Sequence, residues 1–125
     1  MTDIARTLAL SAQGMEAQGR RLRHVTENVA NADTPGYRRK LVDFRTSLAG
    51  DVAVGPVRLD ARPPERVYDP AHPLADANGY YDGSNVDLVL EIADAREAQR
   101  SYEANLRMFD QTRQMAAALI ETMRR

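Results

Sequence analysis

The sequence predicts a mainly α fold, with long N- and C-terminal helices forming a coiled-coil pair around a small β or irregular middle region. Both ends carry apolar residues on a seven-residue repeat, and the first repeat stops at Asp33-Thr34-Pro35-Gly36. Between residues 37 and 85 the apolar runs are short and punctuated by proline and glycine. A 3.5-residue period puts one stripe along one side of a helix, which another helix must cover. The expected division is 1–36 (helix and turn), 37–85 (middle region) and 86–125 (helix).

In the first segment Leu8, Met15, Leu22 and Val29 stand seven apart, with Ile4, Ser11, Gln18, Val25 and Ala32 interleaved. Thr2 or Asp3 can accept hydrogen bonds from the free N–H groups of the first turn, so the helix should open there and run to about Ala32. Ser11, Gly14, Gln18 and Gly19 lie on or beside the stripe. They fit two roles equally: small and polar residues that admit a close neighbour and set register, or tolerated weak positions. Pro35 disfavours helix at Thr34 and Gly36 supplies a positive φ, which predicts a type II turn over Thr34–Tyr37.

The middle region has three strand-like runs. They are Tyr37 to Arg45; Val52, Val54, Val57 and Leu59, interrupted at Gly55-Pro56; and Arg66-Val67-Tyr68. Together they could make a small sheet or hairpin, although Pro56, Pro63 and Pro64 argue against a deep central strand. Asp69 to Asn85 contains Pro70, Pro73, Gly79 and Gly83 among Asp, Asn and Ser, and reads as loop without strand period.

The second helix is expected from about Val86 to Met123, with Asn85 as its N-cap. Asp87 and Glu91 suit the positive end of its dipole, Arg124 and Arg125 the negative end. Its stripe is Leu88, Ala95, Tyr102, Phe109, Ala116 and Met123, with Ile92, Gln99, Leu106, Arg113 and Ile120 between. Val89, Met108, Met115 and Leu119 widen the apolar face, so the helix should touch more than one neighbour. The interface candidates are therefore Leu8, Met15, Leu22, Val25 and Val29 on the first helix. On the second they are Leu88, Ile92, Tyr102, Leu106, Phe109, Ile120 and Met123.

Composition narrows the function classes. The 125 residues suit about one domain, but two Phe, five Tyr and no Trp are thin provision for a core. Partners should therefore cover part of the apolar surface. A net charge of −1 gives no general drive towards nucleic acid or anionic membrane, and the absence of cysteine excludes thiolate chemistry and disulfides. No apolar run approaches the ~18 residues of a membrane helix. Asp3, Arg6 and Gln13 interrupt the place where a secretory signal would have its apolar core, so a protein outside the cytoplasm would need another export route.

His24 adjoins the first stripe, where a polar contact between helices is expected; His72 sits in a proline-rich loop as a turn residue. Asp76 to Asp82 offers oxygen ligands, but glycine and glutamate do not fall where a calcium loop needs them. Arg20-Arg21-Arg23 and Arg38-Arg39-Lys40 read as solvated or partner-facing clusters without a nucleic-acid motif. No catalytic, cofactor or metal site is expected. Two classes of function fit: a structural subunit whose helices are shared among neighbours, and a soluble coiled-coil adaptor or regulator that binds one partner helix.

Asn28-Val29-Ala30-Asn31-Ala32-Asp33-Thr34-Pro35-Gly36-Tyr37 resembles the N-terminal signature of bacterial flagellar rod and hook proteins. Tyr68 to Tyr80, with Asp69-Pro70-Ala71-His72-Pro73-Leu74, and Arg100-Ser101-Tyr102-Glu103-Ala104-Asn105 resemble the C-type proximal rod proteins of that family. The likeness spans nearly the whole chain and is weakest across 45 to 65. Ser84-Asn85-Val86 stands where the family commonly has Pro-Asn-Val. The B-type branch shares the first signature but lacks the Arg-x-Tyr-Glu-Ala-Asn segment. The resemblance implies a non-enzymatic subunit of a helical periplasmic rod, exported by the flagellar type III apparatus without a cleaved signal. That rod transmits torque and encloses the export channel. The implied partners are further copies, the B-type proximal and F/G-type distal rod proteins, and the MS ring with its rod adaptor. The resemblance also marks Asn28, Asn31, Asp33, Pro35, Gly36, Tyr37, Arg100 and Asn105 as turn and register residues.

Overall fold

The computed structural model describes residues 2–125. Helix α1 spans Thr2–Ala30 and helix α2 spans Leu88–Arg124. Between them lie β1 (Lys40–Leu41), β2 (Phe44–Thr46), β3 (Val52–Val54), β4 (Arg58–Leu59), β5 (Arg66–Tyr68) and β6 (Tyr80–Asp82). The expected mainly α architecture is present: two long terminal helices and a small strand-bearing middle.

The helices form an antiparallel hairpin. Asn28 meets Glu91, Arg21 meets Asp94, and Gly14 meets Asn105. Asp3 and Ile4 lie beside Thr112 and Met115. Helix α2 then continues to Arg124, about 14 Å past that point at ~1.5 Å per residue. The middle region closes one end of the hairpin, and the other end is open.

The seam between the helices is small and polar. Among the described residues only Ala17, Val25 and Ala98 are apolar and buried, alongside Ser11, Asn28, Glu91 and Thr112. On α1, Ser11 and Val25 are buried, and Leu8, Met15 and Leu22 are half-buried. Val29 is exposed. On α2 the seam is displaced by one position. It runs through Glu91, Ala98, Asn105 and Thr112, seven apart, while Leu88, Ile92, Tyr102, Leu106, Ile120 and Met123 are exposed. Ala95, Phe109 and Ala116 are half-buried at its edge. At Gly14 the space is filled by the Asn105 side chain: a β-carbon built there would lie 2.7 Å from Asn105 Oδ1. Gly19 makes no such approach, with nothing within 4 Å of its built β-carbon.

The middle region departs from a single sheet. Its strands form three separate antiparallel pairs, β1–β4, β2–β3 and β5–β6. Gly55-Pro56 does interrupt, leaving β3 and β4 with different partners and Val57 outside any strand. Strand β6 falls where a loop was expected. Its register of Arg66↔Asp82, Val67↔Tyr81 and Tyr68↔Tyr80 is fixed by a long-range partner that local period does not reveal. The β2–β3 ribbon leans on α1 through Gln13, whose Oε1 accepts from the Val52 N–H (2.9 Å).

The helix ends also differ in detail. Helix α1 is already formed at Thr2, and the position before it lies outside the described residues. Asp87, not Asn85, caps α2, its carboxylate accepting from the Val89 N–H at 3.0 Å. The turn after α1 is as expected: the Tyr37 N–H donates to Thr34 O (3.1 Å) and Gly36 has φ of 74°.

Candidate functional site

At the closed end the segment after α1 folds back across both helices. Asn28, 1% exposed, acts as its anchor. Its Oδ1 accepts from the Lys40 N–H (2.9 Å) and the Tyr37 hydroxyl (2.8 Å). Its Nδ2 donates to Lys40 O (3.0 Å) and to Glu91 Oε2 (3.3 Å). One amide thus satisfies the backbone of β1 as a neighbouring strand would. Asn31 ties off the helix end, donating to Glu27 O (2.9 Å) and accepting from the Thr34 hydroxyl (3.1 Å).

Next to Asn28 lies a mostly buried ion cluster. Arg39 donates through Nε to Glu91 and through a terminal nitrogen to Asp94, with Asp60 Oδ2 at 3.7 Å. Arg21 reaches the other oxygen of Asp94 (3.1 Å) and Glu97 (3.2 Å). Burial works against the charge on Arg39, but Glu91, Asp94 and Asp60 outweigh it and raise its pKa. A hydrogen bond from Lys40 Nζ (2.6 Å) holds Glu27 below the ordinary carboxylate value. The Arg62 backbone N–H does the same for Asp60, against partial desolvation. Burial raises the Tyr37 hydroxyl.

Asn85 completes the clasp. Its Oδ1 accepts from the Arg39 N–H (2.6 Å), and its Nδ2 donates to Asp60 O (3.1 Å) and Arg62 O (3.0 Å). The Ser84 hydroxyl donates to Ala32 O, and the Gly36 N–H faces Asp82 O and Gly83 O, both at 3.2 Å. These bonds fix where α2 starts relative to where α1 ends. The arginines already occupy the carboxylates. Among the described residues no group of His, Cys, Asp or Glu is placed to hold a metal ion.

Along the hairpin flank lies an open trough with both apolar and charged walls, Glu16 among the latter. Met15 and Gly19 of α1 line it with Tyr102 of α2, edged by Arg20 and Arg23. Helical spacing puts Leu8 and Leu22 on the same side of α1 as Met15, and Leu106 and Phe109 on the same side of α2 as Tyr102. The apolar heptads thus border an open groove, and the small and polar positions fill the seam.

Residues 77–122 match the family described as flagellar basal body rod FlgEFG protein C-terminal, and residues 8–38 match flagella basal body rod protein. Flagellar basal-body rod protein FlgC of Agrobacterium fabrum is 40% identical to this chain, over 99% of the chain and 98% of the relative. FlgC of Salmonella typhimurium is 37% identical, and that of Escherichia coli O157:H7 35%, each over 85% of the chain and 87% of the relative. The chain belongs to the FlgC family of flagellar basal-body rod proteins. No helix among the described residues is long and apolar enough to cross a membrane.

Of the residues marked by the family motif, Asn28, Asn31, Gly36 and Tyr37 act in the clasp and turn, and Pro35 lies half-buried within that turn. Asp33 is exposed. Asn105 lies apart from them, against Gly14, donating to Ser101 O (2.9 Å). Arg100 is exposed on α2. His24 does not bridge the helices through Nδ1, which is buried without a hydrogen-bond partner, 3.9 Å from Glu27 on its own helix. His72 does act within its turn, accepting from the Leu74 N–H (3.1 Å) and stacking on Tyr81 with ring centroids 3.9 Å apart. Sequence reasoning missed Arg39, Asp60, Asn85 and Glu91 as members of one site. Only Glu91 lay on a periodic pattern, the heptad Glu91, Ala98, Asn105 and Thr112; Arg39, Asp60 and Asn85 reach it from the middle region, outside α2.

Proposed function

We propose that this chain is a non-enzymatic structural subunit of the bacterial flagellar basal-body rod, in the proximal position. It polymerises into a helical drive shaft that transmits torque and encloses the export channel. Its site of action is the periplasmic rod, which it reaches through the flagellar type III apparatus. Its neighbours are further copies, B-type proximal and F/G-type distal rod proteins, and the MS ring with its rod adaptor. The observation that carries this reading is the open groove. Leu88, Ile92, Tyr102, Leu106 and Ile120 are exposed although they sit on a helical repeat, which is the condition of a coiled-coil stripe awaiting its partner. The clasp gives the hairpin a defined closed end, so the groove is presented in one register.

Leu106→Pro tests the reading. It removes a helix hydrogen bond in mid-α2 at a cost of about 3 kcal/mol or more, and it should abolish rod assembly and motility. Normal swimming at normal protein level would sink the proposal. So would fractionation that finds the wild-type chain in a one-to-one cytosolic complex and absent from purified basal bodies.

A further inference from the structure

Between β5 and β6 the chain makes a turn over 69–76 in which Pro70 and Pro73 have no N–H to give. The other N–H groups of the turn are taken up. Ala71 donates to Asp69 Oδ1 (3.2 Å), His72 to Asp69 O (3.0 Å), Ala75 to His72 O (3.0 Å) and Asp76 to Tyr80 O (2.8 Å). Leu74 differs in its acceptor. Its N–H donates to a ring nitrogen, His72 Nδ1, at 3.1 Å. An imidazole nitrogen accepts only while it is unprotonated, so the turn holds His72 as the Nε2–H tautomer. The ring is also fixed in direction. It stacks on the half-buried Tyr81, with centroids 3.9 Å and planes 12° apart.

A second proton makes both ring nitrogens donors. Two N–H groups would then face each other between His72 and Leu74, and the stack keeps the ring from turning aside. Tyr81 offers its face to a charged ring as well as to a neutral one, so the loss is confined to the Leu74 bond. Histidine is the side chain whose ordinary charge change falls between pH 5 and 8. We infer that His72 is a proton-operated latch, which holds the 72–75 turn closed when neutral and releases it in mild acid. The Leu74 bond is present above that range and is lost as pH falls through it. Leu74, 63% exposed, is thus presented in one place at neutral pH and set loose below it.

The surrounding charges leave this sign in place. Strand alternation puts Tyr81 and its cross-strand partner Val67 on the face that meets His72, and Arg66, Tyr68, Tyr80 and Asp82 on the other. Asp76 and Asp82 are both paired with Arg66 at 2.7 Å. Asp69, in the turn itself, has one oxygen on the Ala71 N–H. Glu65 lies beyond the paired strands, its backbone bonded to Gly83 and Ser84.

Residue-resolved amide exchange on the full-length chain at pH 7.5 and pH 5, corrected for intrinsic rates, tests the latch. The Leu74 amide should lose protection by roughly fivefold between the two, the worth of one such bond, while Val67 and Tyr81 hold theirs. His72→Asn is the informative variant. Its Oδ1 can stand where Nδ1 stands and accept from the same N–H two residues on, but it takes no proton in this range. It should keep Leu74 protected at both pH values. His72→Phe keeps a ring for Tyr81 and has no acceptor, so at pH 7.5 it should already show the exchange that the wild type shows at pH 5. Equal protection of Leu74 at both pH values in the wild type would overturn the latch. So would a His72→Asn variant that loses protection in acid as the wild type does, which would move the proton to another group such as His24. Loss spread evenly over Val67, Leu74 and Tyr81 would also overturn it, by showing that acid loosens the whole ribbon and not this turn.

Discussion

At the closed end, α1 and α2 meet through Asn28, Glu91 and the Arg39 cluster. Towards the open end they meet through Gly14, Asn105, Ser11 and Thr112. The same helices are thus joined by two kinds of physics. The closed end uses buried hydrogen bonds and charge pairs, which are specific and costly to break singly. The open end uses close approach of small residues, which buries little apolar area and leaves the large side chains outside. The difference teaches how a thin core can still fix a shape. The clasp sets register at one end, the β2–β3 ribbon covers part of α1, and the large apolar side chains of α2 stay exposed.

The sharpest way to break that comparison is Glu91→Ala. Glu91 has 0% exposure and faces both Arg39 and Asn28. Removing one member of a buried pair costs about 3–5 kcal/mol, because the other charge is left uncompensated. Leu106→Ala, at an exposed position, should change monomer stability by under about 1 kcal/mol. Urea unfolding followed by circular dichroism compares the two. Equal midpoints would mean that the clasp is not what holds the hairpin.

Asn28→Ala comes next. It strands the Lys40 N–H and carbonyl and removes the partner of the Tyr37 hydroxyl, for an expected loss of about 2–3 kcal/mol. Tyr37→Phe removes a single hydroxyl and leaves the Lys40 N–H bond to Asn28, so about 1 kcal/mol is expected. If Tyr37→Phe cost as much as Asn28→Ala under the same denaturant titration, the anchor would be misassigned.

Acid should act on the same end with a smaller effect. Glu27 and Asp60 have folded pKa values below their unfolded ones. Their contribution is therefore complete above the unfolded value of about 4 and is lost as pH falls through the lower folded value. Amide hydrogen exchange at pH 5 and pH 2.5, corrected for intrinsic rates, should show Arg39–Leu41 and the first turns of α2 losing more protection than residues 105–112. The opposite order would place the acid-sensitive contacts at the open end.

How much of this was legible follows from range. The Thr34–Tyr37 turn and the helices are encoded locally, in Pro35, Gly36 and the repeats, and they could be read. Asn28 was marked only by its place in a motif; its three partner residues lie 9 to 63 positions away in sequence. Glu91 was read as a helix-dipole residue because a carboxylate near a helix N-terminus has a sufficient local reason to be there. Its burial depends on Arg39, which looked like one of three solvated cations. Asn85 had the chemistry of a cap, and Asp87 took the role because the Asn85 side chain is engaged with Arg39, Asp60 and Arg62. The α2 stripe misled in a more useful way. Its hydrophobic period was real, but hydrophobicity does not say which chain supplies the cover.

The smallest expected effects test that last point at two glycines one and a half turns apart. In an exposed helix interior, alanine in place of glycine stabilises by about 0.5–1 kcal/mol. At Gly14 that gain is opposed by the Asn105 amide, 2.7 Å from the new β-carbon, and overpacking of this kind costs about 1–3 kcal/mol. Gly14→Ala should therefore be net destabilising by about 1 kcal/mol, and Asn105→Ala in the same chain should recover most of it. At Gly19 nothing lies within 4 Å, so Gly19→Ala should raise the monomer's midpoint in urea. Gly19 also lines the trough with Met15 and Tyr102. If a neighbour's helix seats there, the stabilised variant should swim worse than wild type in a soft-agar assay. Better stability with unchanged motility would show that the trough is not packed closely at Gly19, and would move the lateral contact towards Leu106 and Ile120.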